Sequence, residues 1–278
     1  MMDARMEGAA ETMTAYKSTG QHVGEDERTT QKAKAITTRL GAVALPLGVI
    51  MLMVAEFFHP SREDPMDFPA VFREYAHSDI WTTVHLAEYF GFLLLLGGLV
   101  ALYYSISAKP GAGAGLAPFG LAAAVTTAAS YTVLQAVDGI TLKYAVDAWV
   151  SAPADQESAA FAAAEAVRWT EIGMNSLSNF LTGLTLFIYG VAIALGIVYP
   201  RWMGWIAAVS GAAFMYNGIV EVAYEGFVPS IVKLVGILLL AVWALIMAFM
   251  MWCRSAPRGT DRPESAPLGP AQQTTGAR

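Results

Sequence analysis

His85, Glu88, Asp138 and Glu171 lie inside strongly apolar stretches of this 278-residue chain, and Gln135, Asn175, Asn179, Asn217 and Glu221 lie at helical intervals from them or from one another. The spacing within each stretch is three or four residues (His85/Glu88, Gln135/Asp138, Glu171/Asn175/Asn179, Asn217/Glu221/Glu225), which puts each set on one face of a helix. Carboxylates and an imidazole in apolar surroundings can hold a proton, a cation or a small basic solute. They can also serve as general acid and base, for which Glu88 and Asp138 are the candidates. The ligand-binding set is then His85, Glu88, Gln135, Asp138, Glu171, Asn175, Asn217 and Glu221. His59, His85, Glu88 and Glu221 are donor types that suit a divalent metal, although no His-Glu-x-x-His spacing marks a metal site. A structural reading stands beside each of these. The amides can be interhelical hydrogen bonds worth roughly 0.6 to 2 kcal/mol each, Glu56 and Glu225 can reach an interface, and Glu221 and Lys233 can neutralise one another.

The stretches that carry these residues set the fold class. Hydrophobic residues make up 55% of the chain and charged ones 14%, with a mean hydropathy of +0.46. Six apolar runs predict an all-α polytopic bundle with spans at about 40–58, 81–106, 116–141, 170–198, 203–224 and 229–252. About 20 residues cross the roughly 30 Å hydrocarbon layer, so each run can span it. Residues 1–38 and 253–278 are expected to be disordered tails. No basic segment, short apolar run and small-residue cleavage site open the chain, so the first span is expected to be a retained anchor. The single cysteine, Cys253, allows no internal disulfide.

Of the 17 Lys and Arg residues, only Arg62, Arg73, Lys143, Arg168 and Lys233 fall on the side opposite the tails, so the positive-inside rule predicts both termini in the cytoplasm of a plasma (inner) membrane. Eight of the 23 acids are in the tails and the other 15 are all on the outer half. Such a surface attracts cations, repels anions and suits no nucleic acid. Because alternate spans reverse direction, the polar residues share one outer depth, while stretches such as Leu93-Leu94-Leu95-Leu96 and Ile206-Ala207-Ala208-Val209 are apolar. The expectation is an acidic, His- and Asn-lined cup open to the outside and sealed below.

Trp81-Thr82 and Trp169-Thr170 each open a span, and Asp138-Gly139-Ile140 and Asn217-Gly218-Ile219 lie late in the next ones, a hint of a parallel internal repeat. Nucleotide-binding fingerprints are missing, and no histidine follows His85, so neither a nucleotide nor a haem held by paired histidines is expected. The same gap sets the chain apart from membrane hydrolases of the ceramidase and adiponectin-receptor type, which place two zinc-ligating histidines near the end of the chain. The expected partners are the lipid bilayer and a small cationic or amphiphilic ligand; oligomeric state is not readable. Three roles stay open: binding or transport, a membrane-embedded, metal-dependent or metal-free enzyme acting on a lipid or small amphiphile, and a non-catalytic subunit.

The segments Ala55-Glu56-Phe57-Phe58-His59-Pro60-Ser61-Arg62-Glu63-Asp64-Pro65 and Gln135-Ala136-Val137-Asp138-Gly139-Ile140-Thr141-Leu142-Lys143-Tyr144-Ala145-Val146-Asp147-Ala148-Trp149-Val150 resemble uncharacterised bacterial multi-pass membrane proteins of unknown function, over roughly Ala42 to Phe227. The resemblance implies six helices and a bacterial inner membrane, and it brings no activity.

Overall fold

The structure, a computed structural model, describes residues 3–255, with side chains from Thr29 onward. It is all-α, with no strand among the described residues. The helices are α1 (Asp3–Phe58), α2 (Phe68–Ala76), α3 (Trp81–Ile106), α4 (Ala112–Ala136), α5 (Lys143–Val150), α6 (Glu157–Leu195), α7 (Arg201–Tyr216), α8 (Ala223–Glu225) and α9 (Ile231–Arg254). Two π-helical segments join them in line: π1 (Val137–Leu142) between α4 and α5, and π2 (Asn217–Val222) between α7 and α8. Six helical stretches are long and apolar enough to cross a membrane, as the apolar runs predict.

The boundaries differ from expectation where helix formers continue a span into polar sequence. The N-terminal segment expected to be disordered through residue 38 is helical from Asp3. No Gly or Pro interrupts residues 25–40, and the Thr37 and Thr38 hydroxyls donate back to Ala33 O and Lys34 O. At the other end α9 reaches Arg254, and residues 256–278 lie outside the described residues. The third and fourth spans are each 39 residues, or about 58 Å at 1.5 Å per residue, close to twice the thickness of the hydrocarbon layer. Their extra turns come from 143–150 and from the Ala-rich 157–169, which the hydropathy pattern leaves as a loop.

These protruding turns create a second core. α2 follows an Asp67 N-cap, whose carboxylate accepts from Ala70 N, and it buries Phe68, Val71, Phe72 and Tyr75 along one stripe. That stripe packs with Trp81, Leu142, Val146, Trp149, Ile172 and Val222. Lys143 Nζ donates to Tyr75 O and Ala76 O at 3.1 and 3.0 Å, satisfying carbonyls at the C-terminus of α2. The larger core occupies the rest of the bundle and holds Leu45, Leu95, Leu102, Tyr189, Met203, Trp243 and Met247. Gly183 on α6 and Gly211 on α7 meet backbone to backbone there, leaving no room for a Cβ on either. At the end of the bundle away from α2, Arg39 of α1 donates to Ser255 Oγ and lies over the Trp252 ring.

Candidate functional site

The predicted polar residues gather near the α2 end of the bundle, in three groups joined by different bonds. The first is built on π1. A π turn misaligns the backbone ladder and frees carbonyls, and here α3 supplies their donors. Trp81 Nε1 donates to Asp138 O at 3.0 Å, and Thr82 Oγ1 donates to Gly139 O at 3.0 Å. Gly139 lies against His85 so closely that any side chain at 139 would collide with the His85 Cβ.

His85 is 2% exposed. Its Nδ1 is 2.8 Å from Trp81 O, and because a carbonyl only accepts, this nitrogen carries hydrogen. Its Nε2 lies 3.2 Å from Asp138 Oδ2, off the direction of a well-formed hydrogen bond. A bare ring nitrogen and a carboxylate oxygen would repel at that distance. The contact is therefore favourable when a proton lies on the ring nitrogen or on the carboxyl oxygen of this pair. The His59 ring lies 5.1 Å from His85 and 5.2 Å from Trp81, and the Tyr75 ring lies tilted against Trp81 at 3.9 Å. Burial, with help from the neighbouring His85, holds the His59 imidazole below its usual range.

One turn along α3, Glu88 is 9% exposed and accepts a hydrogen bond from Gln135 Nε2 at 3.0 Å. Among the described residues no Lys, Arg or His nitrogen forms an ion pair with it. Gln135 Oε1 and Asp138 Oδ1 are buried without a hydrogen-bond partner.

The second group is an ion pair. Arg168 Nη1 grips both carboxylate oxygens of Glu171 at 2.8 and 2.7 Å, and Arg168 Nη2 donates to Pro65 O at 3.0 Å. Arg168 also lies over the Phe227 and Tyr75 rings. Both partners are 2% exposed, and Arg168 is the ion-pair partner of Glu171. The third group is built on π2. Asn179 Nδ2 donates to Asn175 Oδ1 and to Asn217 Oδ1, and Asn217 Nδ2 donates to Glu221 Oε2 at 2.6 Å. Ser176 Oγ donates to Gly218 O, as Thr82 does to Gly139 O.

Several expectations change. The α2 end is not an open cup, because α2 and the chain leading into it lie across it, tied down by Arg168 and Lys143. Among the described residues no hydrogen bond or ion pair joins Glu171 or Glu221 to the His85 group. Glu221 pairs with Asn217 and not with Lys233. The metal candidates His59, His85, Glu88 and Glu221 do not converge, and no three His, Cys, Asp or Glu side chains among the described residues are placed to hold a metal ion. Sequence reasoning missed Arg168, Trp81 and Tyr75. The signal for Arg168 was its i,i+3 spacing to Glu171, visible only if the helix starts well before Thr170.

A cavity of about 230 Å³ opens on the side of the bundle between α3 and the α4–π1 segment. His85, Tyr89, Gln135 and Gly139 form its inner wall. Leu86 and Ile140, 44% and 41% exposed, flank its mouth. That mouth opens on the outer surface of two helices long and apolar enough to cross a membrane. Comparison with protein-family models, curated proteins and solved structures finds none that matches this chain.

Proposed function

We propose that this is a multi-pass protein of a bacterial plasma membrane, with both termini cytoplasmic, that binds a proton or a small basic cation at the group His85, Glu88, Gln135 and Asp138. The carrying observation is Glu88. Glu171 has Arg168 and Asp138 has His85, but Glu88 is a buried carboxyl whose one hydrogen bond comes from a neutral amide. Such a group is costly in a low-dielectric interior unless a proton or a cation accompanies it. His85, one helical turn before Glu88 on α3, contacts Asp138 at 3.2 Å, so a second titratable pair stands beside Glu88. The distribution of Lys and Arg supports an orientation with the α2 end outside.

The test is the melting temperature of the full chain in lipid nanodiscs, against pH and against methylammonium and divalent metals, for wild type, Glu88→Gln and Asp138→Asn. The amides keep the shape and most of the hydrogen bonding of a protonated acid. Cation-dependent stabilisation present in the wild type and lost in both variants, with the unliganded proteins still folded, supports the binding role. Identical, ligand-independent curves for all three refute it and leave the polar groups as a scaffold that fixes helix packing.

A further inference from the structure

The end of the bundle away from α2 carries one sign of charge. From Thr29 to Ser255 every Asp and Glu lies in the half of the bundle that holds α2, whereas Lys32, Lys34, Arg39, Lys109, Arg201 and Arg254 lie at the opposite end. The ion pairs among the described residues, His85–Asp138, Lys143–Asp147 and Arg168–Glu171, are all on the α2 side, so no carboxylate among those residues answers these cations. The acids that α1 carries before Thr29 come no nearer than Glu27, 12 residues from Arg39 or about 18 Å along the helix. That is about two screening lengths at physiological salt, so they neutralise little of the charge at Arg39.

Two of the six guanidinium and ammonium groups are held in place. Arg39 Nε donates to Ser255 Oγ at 3.3 Å with the guanidinium 5.7 Å over the Trp252 ring, and the Arg254 guanidinium lies 5.1 Å over the Tyr199 ring. Tyr199 is itself fixed, its hydroxyl 2.6 Å from Ser105 Oγ. Trp252 and Arg254 belong to the last turn of α9 and Ser255 caps it, so both guanidiniums flank one helix end. Contact with a ring covers one face of a guanidinium and leaves its edge to bond outward, and that edge is a planar fork of donors that matches phosphate oxygens. Toward the middle of the bundle the surface turns apolar. Leu40, next to Arg39, is 67% exposed, and Phe249, one turn before Trp252, is 69% exposed.

We propose that the corner between α1 and α9 binds an anionic phospholipid, its phosphate on Arg39 beside Trp252, with Arg254 adding to the field that holds it and the acyl chains lying along Leu40 and Phe249. A soluble anion would leave the apolar part of this surface uncovered. A zwitterionic head would bring its own cation against six others, so an anionic head is selected. The site is at the opposite end from Glu88 and stands or falls separately from the reading of that carboxyl.

The full chain in neutral detergent is titrated with dioctanoyl-phosphatidylglycerol, dioctanoyl-phosphatidylcholine and glycerol phosphate while melting temperature is followed at low and high salt. The phosphatidylglycerol lipid is expected to stabilise saturably, at least tenfold more tightly than either of the others, and less tightly as salt rises. Arg39→Gln should weaken it at least tenfold. Arg254→Gln should weaken it about fivefold, the equivalent of about 1 kcal/mol for a basic residue near an anionic head. Arg73→Gln is the control, because Arg73 also lies over a tryptophan ring, Trp149, but on the acidic side, and it should leave the lipid effect unchanged. If Arg39→Gln does not fold, Arg254→Gln decides. Phosphatidylglycerol binding no tighter than phosphatidylcholine, or a preference untouched by both arginine changes, overturns the site. Glycerol phosphate matching the lipid also overturns it, in favour of a soluble phosphate.

Discussion

Replacing Arg168 with Met should be the most damaging single change at the α2 end. The guanidinium makes two bonds to Glu171, one to Pro65 O, and ring contacts with Tyr75 and Phe227. Met fills much of the volume and supplies none of the donors. Glu171 would then be a buried carboxylate at 2% exposure without a partner, which typically costs about 3 to 5 kcal/mol. The Pro65 carbonyl would lose its bond as well, roughly another 1 kcal/mol. The loss has a direction, since Pro65 precedes α2 and Tyr75 lies on it. The α2 segment should loosen before the bundle does. Hydrogen exchange of the Phe68–Ala76 amides should quicken at least a hundredfold, while the amides of α9 stay protected. The double variant Arg168→Met/Glu171→Leu removes both charges and should recover most of the melting temperature, because a buried ion pair can often be exchanged for apolar packing with little penalty. Two results refute the reasoning: Arg168→Met within 1 kcal/mol of wild type, or a double variant no better than the single one.

Gly139→Ala should destabilise by about 1 to 3 kcal/mol, because the new Cβ meets His85, and it should also weaken any cation effect in nanodisc melting, whereas Gly115→Ala, open on all sides, should do neither. For His59, the folded-state value lies below the ordinary one, so protons bind the unfolded chain more readily. Stability contributed by neutral His59 is present above about pH 6.5 and is lost as pH falls toward the folded-state value, and His59→Phe should flatten that part of the melting-temperature profile. In a Cys253→Ser background, Asp155→Cys should react with an impermeant maleimide in intact cells and Lys109→Cys should not; reversed labelling would turn the orientation over.

The six spans were legible because lipid-crossing segments announce themselves by length and apolarity alone. The elements beyond them were not, for physical reasons that differ from one to the next. α2 is nine residues long, too short for a hydropathy window, although Phe68, Val71, Phe72 and Tyr75 carry its stripe plainly. Residues 157–169 lack hydropathy but are rich in alanine, the strongest helix former, so they extend α6 outside the apolar layer. Arg168 was counted as an external charge for that reason and its partnership with Glu171 went unseen. Helical spacing correctly grouped Asn217 with Glu221, because that is a contact between residues four apart. It could not say which faces meet across helices, and there the expected single cup resolved into three groups joined by different bonds.

The repeated Asp/Asn-Gly-Ile triplets explain more of the architecture than their length promised. Both Asp138-Gly139-Ile140 and Asn217-Gly218-Ile219 fall within π segments, each with its glycine pressed against the preceding long helix and its glycine carbonyl accepting a hydroxyl from that helix. A π turn carries one residue more than an α turn, which rotates the next helical turns by about 100° and swings their side chains toward the neighbouring helix. The two hairpins, α3 with α4–π1–α5 and α6 with α7–π2–α8, therefore present the same backbone device with different chemistry. The first pairs the device with His85, Glu88 and an open lateral groove; the second pairs it with Asn175, Asn179 and Glu221, whose hydrogen bonds close on one another. The device accounts for helix packing in both hairpins. Only the first leaves acceptors unpaired and a cavity beside them, which is why the proton or cation is placed there and the second group is assigned to holding the bundle.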